Sequence, residues 1–177
     1  MFFFSVSLLS AGALAYQVLL MRLLSVVLWH HFAATVISLA LLGYGVSGAV
    51  LSLAQGPLVA RFPWAYRVCC ALFGALAPAT FALAQRIPFE PMAAVWEPRQ
   101  WAYFGAMYLV LAVPFFFAAS ALGLALRACS ADISRIYRAD LLGAAAGSLG
   151  VLGLLAVLPP GHGLRVVGAA GFLAAAA

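Results

Sequence analysis

The chain alternates long apolar runs with short clusters of Arg, Pro, Gly, Trp and Gln. A helix needs roughly 20 mostly apolar residues to cross a hydrocarbon core about 30 Å thick. On that measure the polar interruptions predict spans at residues 2–24, 32–54, 68–84, 101–126 and 140–158, with a sixth at 166–177. Trp29, His30 and His31 mark the first hinge, and Gln55-Gly56-Pro57 breaks the second span ahead of a loop holding Arg61, Pro63, Trp64 and Arg67. Three prolines, Pro88, Pro91 and Pro98, occupy the longer connection before the fourth span, where Pro114 predicts a kink. The most charged connection runs from Arg127 to Arg138, and Pro159-Pro160-Gly161 closes the fifth span. At a rise of 1.5 Å per residue the stretch from Arg165 to Ala177 reaches only roughly 20 Å. It reads as an incomplete sixth helix, so the sequence is expected to be the front part of a longer protein.

Composition fixes the class. Hydrophobic residues make up 67% and charged residues 7%, with a mean hydropathy of +1.14, whereas soluble domains are about 25% charged. The charged residues are nine arginines and four acids, with no lysine. This excludes a water-soluble enzyme, a disordered tail and a nucleic-acid-binding domain with a basic patch. The net charge of +5 comes from arginines set singly between apolar runs, which is the pattern of membrane topology. The fold class is therefore all-α: a polytopic transmembrane bundle of about six helices, the last truncated, with lipid and no nucleic acid as its surroundings. Ala13-Leu14-Ala15 has the form of a signal-peptide cleavage site, but no Lys or Arg precedes it and the apolar run continues to Leu20. The segment therefore reads as an uncleaved first helix. Arg61, Arg67, Arg127, Arg135 and Arg138 fall in the second and fourth connections, against Arg22, Arg86, Arg99 and Arg165 in the others. The bias places the N-terminus in the cytoplasm, in a bacterial inner membrane.

Candidate chemistry is sparse. Gly43-Tyr44-Gly45-Val46-Ser47-Gly48 spells a dinucleotide fingerprint, yet it lies inside an apolar helix with no acid before Glu90. Gly43, Gly45 and Gly48 read instead as helix-packing positions, as do Gly143, Gly147 and Gly150 in the fifth span. Tyr16, Gln17 and Arg22 suggest an interhelical polar cluster around an anionic group, or an interfacial arginine anchoring the helix end. Asp140 is placed in the first turn of the fifth span, as a helix cap or as a partner for Arg138 or Arg135 serving coupling or substrate binding. Cys69, Cys70 and Cys129 lack metal-site or disulfide spacing. No catalytic motif, cofactor site or metal site is legible, and no internal repeat is visible.

Two stretches carry a family resemblance. Ala15-Tyr16-Gln17-Val18-Leu19-Leu20-Met21-Arg22-Leu23-Leu24-Ser25 is similar to the first-helix signature of membrane-bound spermidine synthase-like proteins, with Gln17 where that signature often has Glu. Ile136-Tyr137-Arg138-Ala139-Asp140-Leu141-Leu142-Gly143-Ala144-Ala145-Ala146-Gly147 resembles that family's Tyr-x-x-Asp-x-x-Gly-x-x-x-Gly helix start, and Leu41 to Gly48 suits its second helix. In that family a membrane region precedes a Rossmann-like polyamine aminopropyltransferase domain. The resemblance implies that this chain is the membrane region alone, with aminopropyl transfer from decarboxylated S-adenosylmethionine lying beyond Ala177. Its role would then be to anchor that domain and to bind or pass its substrate. Two other readings stand beside it: half of a six-plus-six-helix secondary transporter, and a structural subunit of a membrane complex, a homo-oligomer included.

Overall fold

A computed structural model of the chain describes residues 1–27, 35–157 and 160–177. Its helices are α1 (Phe2–Val27), α2 (Thr35–Ala60), α3 (Phe62–Ala84), α4 (Arg99–Ala128), α5 (Ile133–Val157) and α6 (Pro160–Ala176). Single 3₁₀ turns at Ala93–Val95 and Ser130–Asp132 precede α4 and α5. Helices α1 to α5 are long and apolar enough to cross a membrane, and α6 is a shorter apolar helix. The molecule is an all-α integral membrane bundle. The hinge at Trp29, His30 and His31 lies outside the described residues.

Several boundaries differ from those the polar interruptions predict. Helix α3 starts at Phe62 because Pro63 sits in its first turn, where a missing N–H costs nothing. Gln55-Gly56-Pro57 does not end α2, which continues to Ala60 across a bend at Ala54 (φ −108°, ψ 17°). Pro57 has no backbone N–H to return to the preceding turn, so the helix bends there without stopping. Arg99–Ala128 continues as one helix through Pro114. The charged stretch from Arg127 to Arg138 is mostly helical, since α5 opens at Ile133. Nothing between Ile133 and Ala139 breaks a helix, and Arg135 and Arg138 stay exposed.

The extensive interfaces are α1·α5, α1·α6, α3·α6, α3·α4 and α2·α4. Helix α1 therefore lies between α5 and α6, while α4 lies between α2 and α3. Exchanging α1 with α4, α2 with α5 and α3 with α6 maps this set of interfaces onto itself. Directions obey the same exchange. Gly143 meets Ser7 and Gly147 meets Ala11, so α1 and α5 run parallel. Gly43 meets Ala112 and Ser47 meets Ser120, so α2 and α4 do too. Gly168 faces Pro78 and Gly171 faces Gly74, so α3 and α6 are antiparallel. The bundle is thus two three-helix units of inverted topology that share one pattern of interfaces. The sequence retains a short trace of it, since Leu41-Leu42-Gly43 and Leu141-Leu142-Gly143 open the equivalent contacts.

Lipid tails are as apolar as leucine, so helices associate in a membrane through close packing and interhelical hydrogen bonds. Helices α1 and α4 are the most enclosed, with Tyr16, Leu19 and Leu20 of α1 and Leu111 and Phe115 of α4 fully buried. Large side chains on α2 and α5 point outward instead: Leu53 is 88% exposed and Leu149 70%. Among the six packing glycines, Gly43, Gly143 and Gly147 sit where an added Cβ would strike a neighbouring helix. Gly45, Gly48 and Gly150 are exposed, with open space around them. A second close approach, Gly74 against Gly168 and Gly171, joins α3 to α6.

Two measurements check this architecture. Gly147→Leu is expected to lower stability in detergent by about 1–3 kcal/mol or more, as overpacking does, whereas Gly45→Leu is expected to be tolerated. Equal losses would mean that the α1·α5 seam is not tight. In a background freed of Cys69, Cys70 and Cys129, Arg61→Cys and Ser130→Cys should react with an impermeant maleimide from one face. Glu90→Cys should react from the other. Labelling of Ser130→Cys and Glu90→Cys from one face would refute the alternation.

Candidate functional site

Polar side chains inside the bundle are few, and most close a specific seam. Thr80 donates to the Leu76 carbonyl (2.7 Å), so its oxygen accepts from the Tyr16 hydroxyl at 3.3 Å. Ser120 likewise donates to the Phe116 carbonyl, leaving Ser47 to donate to Ser120 at 2.9 Å. Tyr66 meets Ser5 at 2.9 Å. These bonds tie α1 to α3 and α2 to α4. Arg127 reaches from the end of α4 to the Leu51 carbonyl (3.2 Å), one turn before the bend in α2.

Asp140 differs from the rest. It is the eighth residue of α5, beyond the turn in which a helix dipole or capping interaction operates. The expected cap is therefore ruled out by the earlier start of α5. Pairing with the nearby arginines is also absent, since Arg135 bridges Asp132 at 3.2 Å and Arg138 is exposed. Instead Asp140 Oδ1 accepts a 2.5 Å hydrogen bond from Ser10 of α1. The pair lines a cavity of about 290 Å³ between α1, α2, α4 and α5, with Tyr44 also on its wall. Leu9, Ala13 and Leu14 form the α1 side; Ala118, Ala119, Leu122, Gly123 and Leu126 form the α4 side. The small residues of α4 open the space, and Tyr44 is held by edge contact with Phe115 (6.0 Å between ring centroids).

Among the described residues Asp140 is the one acid inside an α-helix. Glu90 and Glu97 lie in the connection before α4, and Asp132 lies in the turn before α5. At 1.5 Å per residue Asp140 is about 10 Å into its helix. Ionisable groups inside membrane-crossing helices are costly, and they characteristically mark ligand or ion sites.

The structure does not bring Tyr16, Gln17 and Arg22 together. Tyr16 is buried against α3, Gln17 is half-buried and Arg22 is exposed, because one residue turns a helix by about 100° and scatters these three around it. Ser10 and Tyr44 are the site residues that the sequence reading passed over. Ser10 is a single hydroxyl in an apolar run, and Tyr44 was read only as part of a glycine pattern. Among the described residues no three His, Cys, Asp or Glu side chains gather as metal ligands.

Walls with one carboxylate, one serine and one tyrosine among apolar side chains offer a small polar solute a few orienting contacts. No family model, curated protein or solved structure matches the chain. Ser10→Ala should remove the interhelical donor to Asp140 and lower stability in detergent by about 0.6–1.7 kcal/mol, the range of such bonds in membrane bundles. No loss in a chemical-unfolding titration would mean that the α1·α5 seam rests on the glycines alone.

Proposed function

We propose that this chain is a solute-handling membrane domain, which binds a small polar molecule among its helices and passes it across the bilayer or to a joined catalytic domain. The observation that carries the proposal is the inverted three-plus-three packing. Secondary carriers are commonly built from inverted repeats, with the solute held at the repeat interface. Here the cavity lies at that interface, with walls from α1 and α2 of one unit and α4 and α5 of the other.

The spermidine synthase-like reading is compatible with this and gives the solute a chemistry. The three stretches that resemble that family fall on α1, α2 and α5, and the latter two contribute Tyr44 and Asp140 to the cavity. In that reading the domain serves an aminopropyltransferase and its solute is a polyamine. The arginine bias supports a cytoplasmic N-terminus in a bacterial inner membrane. A purely structural subunit has less in its favour, since packing alone gives no reason to place a carboxylate in an apolar cavity.

Counterflow into liposomes tests the proposal. Vesicles preloaded with unlabelled putrescine and carrying the purified protein should accumulate labelled putrescine several-fold above protein-free vesicles. Asp140→Asn should abolish the difference while the protein still purifies as a folded species. Accumulation equal to that of protein-free vesicles overturns the carrier reading.

A further inference from the structure

A groove of about 250 Å³ lies on the other side of α1 from Asp140, between α1, α5 and α6. Its walls include Ala11 and Ala15 of α1, Gly150 and Val151 of α5, and Gly163 and Val166 of α6, and no side chain lining it is polar. Gly150 and Val166 are exposed, so the groove opens toward lipid. The helix backbones along it are already hydrogen-bonded within their own helices, which leaves dispersion contacts as what the walls offer.

One end of this groove carries charge. Ala11, Ala15, Val18 and Arg22 follow at spacings of four, three and four residues, so Arg22 continues the α1 wall on one helix face. It stands three residues before Ser25, where the apolar span ends, a depth from which an arginine reaches the headgroups. Gly12 meets Ala170 and Leu19 meets Gly163, so α1 and α6 are antiparallel. His162, four residues before Val166 and on its face of α6, therefore stands at the same end as Arg22. Helices α1 and α6 contain no acid, and Asp140 lies toward the opposite end of α5.

The other half of the bundle shows how far an arginine in this place reaches. Arg127 lies fifteen residues beyond Ala112, the contact of Gly43, and Arg22 lies fifteen beyond Ser7, the contact of Gly143. Arg127 donates to the carbonyl of Leu51, eight residues beyond Gly43. The residue eight beyond Gly143 is Val151, on the groove wall. By the same register the Arg22 side chain reaches the groove. Arg22 is exposed, and the ion pair formed among the described residues joins Arg135 to Asp132 instead.

We propose that this groove binds one anionic phospholipid of the surrounding bilayer, with an acyl chain along Ala15 and Gly150 and the phosphate on Arg22. His162 supplies a further donor. Charge complementarity selects the headgroup: a guanidinium grips phosphate through paired hydrogen bonds, and a zwitterionic lipid brings its own cation to that contact. The site is independent of the solute-binding reading, whose cavity occupies the opposite face of α1.

Native mass spectrometry of the detergent-purified chain tests this, with dioleoylphosphatidylglycerol and dioleoylphosphatidylcholine as probes. One phosphatidylglycerol should be retained, bound about tenfold or more tightly than phosphatidylcholine, the scale of a charge-assisted contact. Arg22→Gln should bring the two affinities together. Arg165→Gln removes a cation two residues from Gly163, on the far side of α6, and should leave the preference intact. Gly150→Leu enters open space and should weaken both lipids several-fold, which keeps the test decisive if Arg22→Gln does not fold. Equal retention of the two lipids overturns the proposal, as does an unchanged preference in Arg22→Gln or an equal loss in Arg165→Gln. Unchanged lipid binding in Gly150→Leu also overturns it, and a dimer turned monomer by that variant would assign the groove to a second copy instead. Glycerol phosphate competing as well as phosphatidylglycerol would mean a site for a soluble anion and refute the lipid.

Discussion

The bundle depends on how closely two helix backbones can approach where lipid offers no hydrophobic reward for association. At the α1·α5 seam Gly143 and Gly147 admit the backbone of Ser7 and Ala11, and at the α2·α4 seam Gly43 admits that of Ala112. Close approach brings many small dispersion contacts within range at once. It also fixes the register, and that register sets Ser10 opposite Asp140 and Ser47 opposite Ser120. The polar contacts follow from the glycine contacts, and the cavity follows from both. Where α4 presents Ala118, Ala119 and Gly123, the wall is too small to fill the space between the seams.

The two seams share a backbone plan and differ in chemistry. Phe115 packs its ring against Tyr16 and, edge to face, Tyr44, and closes its side of the bundle. Phe115 lies three residues beyond Ala112, the contact of Gly43, and Ser10 three beyond Ser7, the contact of Gly143; there Ser10 is too short to do the same. Ser10 and the small residues Ala118, Ala119 and Gly123 of α4 together leave a lined cavity, with Asp140 as the acid on its wall.

Much of the architecture was legible from the sequence because bilayer thickness imposes a strong length constraint on apolar runs. The number of spans and the helical class follow from it. Helix ends were less legible, because proline and arginine at Pro63 and Arg135 look like breakers and loop residues yet fit readily into a first turn or an exposed helical face. The prominence of Asp140 was readable from its rarity, but its depth was not, since depth depended on where α5 begins. Ser10 and Tyr44 could not be singled out before the glycine contacts set the register. The three-helix repeat was hidden for a similar reason. Packing in lipid constrains residue size more than residue identity, so inverted copies keep their contacts while little more than Leu-Leu-Gly survives as a visible match.

An inverted repeat has a further consequence for how such a chain enters a membrane. Its two halves share one pattern of interfaces, so that pattern gives the insertion machinery no reason to prefer one orientation. The decision falls to the cations at and near the helix ends, where five arginines on one side stand against four on the other. Orientation is thus the least buffered property of this domain: moving one arginine across the bilayer would reverse the balance, while leaving every buried contact in place.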